Sequence, residues 1–131
     1  MDAQTNRELL LQCGNAFVNR NGMRVVSVGE EGSEAELDIT EDVMNPFGVV
    51  HGGALFTLAD LCCGAAARVD GRHYVTDQAS ISYLRAVSEG KVHARGTVLH
   101  RGRSRCIIDV KIYDGQGRLV CAGTLSFFCT G

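Results

Sequence analysis

The sequence has little proline, few aromatic residues and almost no net charge. Its 131 residues include one proline and no tryptophan, aromatic residues make up 6%, and the formal net charge is −2. No repeat, low-complexity segment or linker interrupts the chain, so we expect a single domain over residues 1–131. The near-neutral charge and the lack of an aromatic stacking platform argue against a nucleic-acid partner.

Two kinds of hydrophobic segment are also missing. Residues 1–8 are polar and lack the apolar stretch of a signal peptide, which favours a cytoplasmic location. The main apolar run, residues 54–67, would reach about 21 Å as a helix, which is too short to cross a membrane. We therefore expect no membrane partner.

The cysteines show no CxxC spacing and no disulfide-rich density. They are Cys13, Cys62, Cys63, Cys106, Cys121 and Cys129. Because nothing in the sequence indicates an oxidising compartment, we interpret them as reduced residues that pack in the core. The histidines have no ligand spacing either, so the sequence indicates neither a metal site nor a cofactor.

Hydrophobic periodicity divides the chain into two helices and six strands. Apolar residues at helical spacing predict an N-terminal amphipathic helix over residues 6–19, and period-two alternation predicts a strand pair over 23–29 and 33–40. A second helix is predicted over residues 53–68. Four longer strands with turn residues between them follow, which predicts an antiparallel meander. These strands cover residues 73–87, 91–100, 104–114 and 118–128.

The second predicted helix is apolar on nearly all sides. Between Ala54 and Ala67 only Thr57 and Asp60 are polar. A helix of this kind is normally enclosed by the core rather than laid on a surface. Together with the long strands, it predicts an α+β fold in which a long curved antiparallel sheet wraps around one central helix.

Asp60 is the most informative residue of that helix. A carboxylate in an apolar environment loses several kcal/mol of solvation unless it has a partner. One interpretation is structural, in which Asp60 accepts a hydrogen bond from a neighbouring backbone group or from the Thr57 hydroxyl. The other is that Asp60 is a functional acid.

A glycine-rich segment leads directly into the same helix. Residues 45–53 read NPFGVVHGG and would place glycine amides at the electropositive helix N-terminus, as in an oxyanion site. Gly52 and Asp60 are eight residues apart in the sequence, which is about 12 Å along a helix. One chain therefore cannot bring both to the same reacting atom, and we expect two chains to share the site.

A set of motifs in this sequence resembles those of one enzyme family. The motifs are Asn45-Pro46, Gly48, His51-Gly52-Gly53, Ala54-Leu55, Leu58-Ala59-Asp60, Val75-Thr76, Ile81 to Arg85, His100 to Ser104 and Gly117 to Thr124. Together they span about residues 20–128 and resemble the phenylacetic-acid-degradation-type, or PaaI-like, acyl-CoA thioesterases. The resemblance implies a hotdog fold and a hydrolase that cleaves an acyl-CoA to a free acid and coenzyme A. It also implies a homodimer, and we expect a dimer of dimers.

The resemblance implies a role for each of five residues. Gly52 would donate its N–H to the thioester carbonyl oxygen, and Asp60 of the other subunit would act as general base or as nucleophile. Asn45 would orient water or the thioester, and Thr76 would position that water beside the acid. His51 is interpreted either as a catalytic base or as a structural hydrogen-bonding residue of the helix entry.

Substrate-binding residues also follow from the resemblance. The strand segment with Tyr83, Leu84 and Arg85 would line the pantetheine path, and Ala86 stands where the family often has proline. The turn formed by Arg101, Gly102, Arg103 and Ser104 would bind the nucleotide phosphates; the alternative is a solvated turn. The acyl pocket would be lined by residues at the start of the central helix and before it. Its candidates are Phe47, Val49, Val50, Leu55, Phe56 and Leu58.

The favoured function is hydrolysis of an aryl- or medium-chain acyl-CoA. The first alternative is a hotdog dehydratase or hydratase, which needs a histidine and an acid poised together, and His51 with Asp60 fits that poorly. The second is a non-catalytic acyl-CoA-binding module, because a fold does not fix a function. The acyl group and the choice between base and nucleophile stay open.

Overall fold

The computed structural model describes residues 2–12 and 15–131, which form a six-stranded antiparallel sheet and three α-helices. The strands lie in the order β1-β2-β4-β5-β6-β3, and α3 packs on the inner face of the sheet. The elements are α1 (Ala3–Gln12), α2 (Ala16–Arg20), β1 (Met23–Gly29), β2 (Gly32–Asp38), a 3-10 turn (Glu41–Val43), α3 (Gly52–Arg68), β3 (Tyr74–Tyr83), β4 (Lys91–Arg101), β5 (Arg105–Tyr113) and β6 (Leu119–Cys129).

The central helix α3 forms most of one side of the core, as the sequence predicts. Nine of its residues are buried, and most of these are small. They face inward-pointing side chains of the sheet, among them Ile108, Val110, Leu125 and Phe127, which are all at most 1% exposed. Small residues on α3 allow a close approach between helix and sheet, so the core of this chain is filled by its own helix.

The described cysteines are free, and four of them lie in this core. Cys62, Cys63, Cys106 and Cys121 are buried, and Cys129 is half-buried. Burial raises the pKa of the Cys62 thiol to about 11, so this thiol stays protonated at neutral pH. The packing role predicted for these four residues is confirmed, whereas Cys13 lies outside the described residues.

The prediction of one N-terminal helix over residues 6–19 is wrong. The structure has two helices, α1 and α2, and Asn15 begins the second one. The Asn15 side-chain oxygen accepts a hydrogen bond from the Val18 N–H at 3.1 Å, which is the usual role of asparagine at an N-cap. The predicted helix has Asn15 in its interior, but the side-chain amide of Asn15 favours the start of a new helix.

The predicted meander of the last four strands is also wrong, because the first of them, β3, has a different neighbour. β4, β5 and β6 follow one another as predicted, but β3 pairs with β6 at the edge of the sheet and has no pairing with β4. β3 ends at Tyr83, its hydrogen bonding to β6 ends one residue later, and the chain then crosses to the segment before α3. The Leu84 N–H donates to Val120 O, and Val87 O accepts from the Val50 N–H. Within the described chain, the outer edge of β3 is therefore unpaired.

An ion-pair network joins the C-terminal end of α3 to the β4–β5 turn. The Arg101 guanidinium donates to Ala66 O at 2.8 Å and Ala67 O at 2.9 Å, which are carbonyls that the last helical turn leaves unpaired. It also donates to the Asp70 carboxylate at 3.0 Å. That carboxylate accepts from Tyr74 Oη at 2.6 Å as well.

We expect Asp70→Asn to destabilise the fold in a pH-dependent way. Burial raises the pKa of Asp70, but the hydrogen bonds from Tyr74 and Arg72 outweigh it and hold the pKa below its ordinary value. The stabilisation is therefore complete above the ordinary carboxyl pKa and is lost as the pH falls through the lower folded-state value. At pH 7 the substitution should lower the free energy of unfolding by about 1–3 kcal/mol.

Urea unfolding between pH 3 and pH 7 measures this effect. The difference between the wild type and Asp70→Asn should shrink as the pH falls below about 4, where the carboxylate is protonated first in the unfolded chain and then in the folded protein. Asp38→Asn is the matched control, because its exposed ion pair with Arg24 should contribute less than about 1 kcal/mol. Equal destabilisation by the two substitutions at pH 7 would contradict the role of Asp70.

Candidate active site

Asp60 and Thr76 are in direct contact at the side of α3 that faces β3. Thr76 Oγ1 donates a hydrogen bond to Asp60 Oδ1 at 2.6 Å. The Thr57 hydroxyl, considered above as a partner for Asp60, donates instead to Gly53 O at 2.9 Å. The second carboxylate oxygen of Asp60 has no hydrogen-bond donor among the described residues, so it is available to a water or a substrate.

A β-bulge in β3 determines which residues share the face of Thr76. The pairing with β6 shifts between Thr76 and Gln78. After the bulge Ala79, Ile81 and Tyr83 lie on the inward face, whereas simple alternation would place Gln78 there. Thr76 thus points at the helix together with the apolar residues of β3, although both of its chain neighbours are exposed.

An open cavity of about 480 Å³ lies next to Asp60, between α3 and the N-terminal helices. Apart from Asp60, its walls are mostly apolar, with Phe56 and Leu61 from α3 and Leu10, Phe17 and Val18 from α1 and α2. The position of α1 and α2 beside Asp60 is not predictable from the sequence, because an amphipathic helix pattern does not identify the surface on which the helix packs. We call this cavity the acid-side groove.

The N-terminus of α3 has one amide that the fold leaves free. His51 satisfies the next three, because its Nδ1 accepts from the Gly53 N–H at 2.9 Å and its carbonyl accepts from the N–H groups of Ala54 and Leu55. Among the described residues, no acceptor bonds the N–H of Gly52. A free N–H at the positive end of a helix is a site for an oxyanion.

Gly52 shares a second cavity with the predicted pantetheine-binding residues. This cavity has a volume of about 310 Å³ and is lined by Gly52, Tyr83, Leu84 and Arg85, among others. A Cβ at Gly52 would lie 3.6 Å from the Tyr83 ring. Burial raises the pKa of Tyr83, so its hydroxyl remains protonated at neutral pH. We call this cavity the amide-side cleft.

The structure does not bring Gly52 and Asp60 together within one chain. They are eight residues apart in the continuous helix α3, or about 12 Å along its axis, and they line different cavities. The acid-side groove therefore contains the candidate acid, and the amide-side cleft contains the candidate oxyanion donor.

The Asn45 side chain stabilises the loop before α3 and lines neither the acid-side groove nor the amide-side cleft. Its side-chain oxygen accepts from the N–H of Phe47 at 2.9 Å and of Val49 at 3.3 Å, and Gly48 completes the turn with a φ of 78°. The loop presents the Phe47 ring to solvent with 88% exposure. Of the other acyl-pocket candidates, Val50, Leu55 and Leu58 are buried in the core, and Phe56 lines the acid-side groove. Val49 is half-buried in the loop itself.

The turn predicted to bind phosphates is built from residues with different environments. The Arg101 side chain is directed inward to the end of α3, as described above. The carbonyl oxygens of Gly102 and Arg103 accept from the Arg72 guanidinium at 2.9 and 2.8 Å. The side chains of Arg103 and Ser104 are exposed and make no hydrogen bond or ion pair within the described chain. Arg103 is therefore the cation of this turn that remains available to a phosphate.

The family follows from comparison with known proteins. A model of the thioesterase superfamily matches residues 47–121, which is more than half of the chain. The chain belongs to the thioesterase superfamily. Apart from Asn45, every site residue predicted from the sequence lies within that matched segment of the thioesterase.

Individual relatives agree with this assignment. The thioesterase is 34% identical over 128 residues to the proofreading thioesterase EntH of Cronobacter turicensis, covering 92% of this chain and 93% of the relative. A hypothetical thioesterase of Streptococcus pneumoniae, solved with coenzyme A, is 33% identical, with a TM-score of 0.79 and coverage of 83% and 89%. The PaaI protein of Escherichia coli is 25% identical, with a TM-score of 0.90 and coverage of 98% and 94%. The predicted hotdog fold and thioester hydrolase activity are confirmed.

The two interpretations of His51 can be separated by substitution in this thioesterase. The cap requires an acceptor for the Gly53 N–H, which asparagine supplies and alanine does not. If His51 is structural, His51→Asn should keep kcat within about threefold of the wild type, and His51→Ala should lower stability by about 1 kcal/mol. Thiol release and thermal unfolding of both variants measure these effects. A loss of 100-fold or more in kcat for His51→Asn, the size typical of a lost base, would assign His51 to catalysis.

Proposed function

We propose that the enzyme hydrolyses acyl-CoA thioesters in a site shared by two copies of the chain. Gly52 of one copy would bind the thioester oxygen, and Asp60 with Thr76 of the other would act on the carbonyl carbon. The observation that carries this proposal is the separation of the free Gly52 amide from the Asp60–Thr76 pair along one rigid helix. Neither half contains the complete chemistry, whereas two antiparallel copies of α3 would supply both halves twice.

Gly52 acts as the electrophilic half of the proposed site. Its N–H would donate to the thioester carbonyl oxygen, where negative charge develops as the tetrahedral intermediate forms. The dipole of α3 adds positive potential at the same point. Because the next amides are already bonded to His51, this donor is oriented before the substrate binds.

Asp60 supplies the other half, and two chemical roles fit its position. As a general base, its free oxygen would take a proton from water while that water attacks the carbonyl carbon. As a nucleophile, it would itself attack to form an anhydride that water then hydrolyses. In both cases the carbon–sulfur bond breaks, the thiol of coenzyme A leaves with a proton, and the acid is released. Thr76 holds the carboxylate in one orientation.

The amide-side cleft would hold the pantetheine arm of the substrate. Leu84 is 57% exposed there and offers an apolar contact, and Arg85 adds a positive charge. Arg103 and Ser104 would bind the nucleotide phosphates. Arg101 and Gly102 would then contribute by supporting the turn. The relative solved with coenzyme A supports this class of ligand.

We propose that the copies join through the free edge of β3. An unpaired strand edge is a natural site for pairing with another chain. Val75 and Tyr83 on this strand are 51% and 50% exposed, so apolar surface lies beside the edge that a partner would cover. Pairing of β3 with a second β3 would place two α3 helices side by side and bury this edge. A dimer of such dimers gives the expected homotetramer.

No helix among the described residues is long and apolar enough to cross a membrane. The cytoplasmic location stays a prediction.

The acid should be essential for turnover. Asp60→Asn keeps the shape of the side chain but removes its negative charge, so we expect kcat to fall by about 100- to 10,000-fold. Thiol release from a panel of aryl, short and medium acyl-CoA substrates measures the effect. Asp109→Asn is the control, because Asp109 pairs with Lys111 on the outer face of the sheet. Wild-type turnover by a folded Asp60→Asn enzyme would overturn the proposed role.

Mixed oligomers test whether the site is shared. Proline is favoured at the first position of a helix and has no N–H, so Gly52→Pro should remove the oxyanion donor while α3 is retained. Alone it should lower kcat by about 100- to 1,000-fold, whereas Gly52→Ala, which keeps the N–H, should have little effect. When Gly52→Pro and Asp60→Asn chains are co-assembled in equal amounts, about half of the dimers are mixed, and each mixed dimer has one intact site of two. The mixture should therefore recover about one quarter of wild-type activity. Absence of recovery in verified mixed dimers would show that the site lies within one chain.

A further inference from the structure

Arg68 lies at the end of the acid-side groove opposite Asp60. The two residues are eight positions apart on α3, or about 12 Å along the helix, and both line the cavity. The wall between them is formed by Leu61 and Ala65, with Phe17 facing them from α2. The groove is thus an apolar channel with the candidate acid at one end and a cation at the other.

The Arg68 guanidinium is held in place but is not neutralised. Its Nη2 donates to the carbonyl oxygen of Tyr74 at 3.2 Å, which fixes one side of the group. No carboxylate of the described residues lies within 4.0 Å of it, whereas Arg72 and Arg101 nearby are both paired with Asp70. Arg68 therefore keeps donors and a full positive charge available to a ligand in the groove.

Gly64 makes this position of the guanidinium possible. It lies one helical turn from both Asp60 and Arg68, and a Cβ at Gly64 would be only 2.6 Å from Arg68 Nη1. The absence of a side chain lets Arg68 fold back along the helix towards the acid. The other near neighbour of such a Cβ, Phe127 Cε1, is at an ordinary contact distance of 3.7 Å.

We propose that Arg68 selects acyl groups that carry a carboxylate at their far end, so that the preferred substrates are thioesters of dicarboxylic acids. The planar guanidinium presents paired N–H donors that match a carboxylate. Only the acyl part of the substrate enters the groove beside Asp60, because the Gly52 half of the site belongs to the other copy and binds coenzyme A. A distal carboxylate is therefore the anion that reaches Arg68.

The length of the groove indicates the length of the acyl chain. An extended chain advances by about 1.3 Å per carbon–carbon bond, so about five bonds connect a carbonyl carbon at Asp60 to a carboxylate about one helical turn away. The guanidinium lies at that distance because it folds back to Gly64. A six-carbon dicarboxylic acyl group, as in adipyl-CoA, fits this distance. Hexanoyl-CoA has the same chain length without the charge and is the matched comparison.

The inference rests on the proposed acyl-CoA hydrolysis and is tested by a ratio of specificity constants. For the wild type, kcat/KM for adipyl-CoA should exceed that for hexanoyl-CoA by about 10- to 100-fold, the size of one charge-assisted pair. Arg68→Gln should reduce this ratio to near one. Arg68→Lys keeps the charge but loses the paired N–H donors of the guanidinium, so it should give an intermediate ratio. Arg95→Gln is the control, because Arg95 is exposed on the outer face of the sheet and pairs with Glu34.

Gly64→Ala gives a second test that keeps Arg68 in the chain. The new methyl group displaces the guanidinium, so the ratio should fall as it does for Arg68→Gln, while the melting temperature should stay equal or rise because alanine favours a helix more than glycine. A fall in the ratio without a loss of stability supports the subsite. It separates substrate contact from a purely structural role of Arg68, which would lower the melting temperature and leave the ratio unchanged.

Two results would overturn the inference. One is a wild-type enzyme whose kcat/KM for hexanoyl-CoA equals its kcat/KM for adipyl-CoA. The other is an Arg68→Gln enzyme whose KM rises equally for both substrates, which would assign Arg68 to the phosphates of coenzyme A. Both results leave thioester hydrolysis intact, whereas failure of the proposed function would appear as no thiol release from any acyl-CoA.

Discussion

The enclosure of α3 by the sheet is the constraint on which the rest of this structure depends. In a chain of 131 residues the core has room for one such helix, and the small residues of α3 let the sheet pack closely against it. Chemistry is therefore restricted to what α3 exposes, namely its N-terminal end and the side that faces β3. A helix about 25 Å long keeps these two surfaces apart, and this separation is the geometric basis of the proposed shared site.

The backbone groups at the two ends of α3 differ in whether the fold supplies their hydrogen-bond partners. At the C-terminal end, Arg101 occupies the unpaired carbonyls, and Asp70 ties that end to the β4–β5 turn. At the N-terminal end, His51 satisfies three amides and leaves the first one free. The fold thus satisfies the negative end of the helix dipole internally and leaves the positive end available to a substrate oxygen.

Sequence periodicity predicts most elements of this fold, but it does not predict their partners. The alternation of β3 is the same whether it pairs with β4 or with β6, so it does not distinguish a meander from the observed strand order. The decisive contacts are the pairing of β3 with β6 and the bond between Val87 and Val50 before α3, which have no signature in the local pattern. The break between α1 and α2 did have a signal, since Asn15 is a good N-cap, but the apolar spacing continues through it.

The predicted site shows the same division between local and non-local information. Asp60 is conspicuous because it interrupts an apolar helix, and Gly52 is conspicuous because glycines precede that helix. The environment of Arg101 was not predictable, because a bulge between Val98 and His100 reverses the faces of β4 and turns this side chain inward to pair at the level of Cys106. A single inserted residue thus decides whether an arginine supports a helix end or faces a ligand, and spacing alone does not reveal it.

In the proposed site, the division between chains would separate two kinds of recognition. The copy that supplies Asp60 would also supply the groove and Arg68, so it would determine which acyl group is accepted. The copy that supplies Gly52 would hold the amide-side cleft and determine how coenzyme A is bound. Because the two sets lie on different surfaces of α3, a substitution at Gly64 or Arg68 would change acyl preference without touching the coenzyme contacts. An enzyme built in this way can acquire a new acyl specificity through one face of one helix while its reaction and its thiol carrier stay the same.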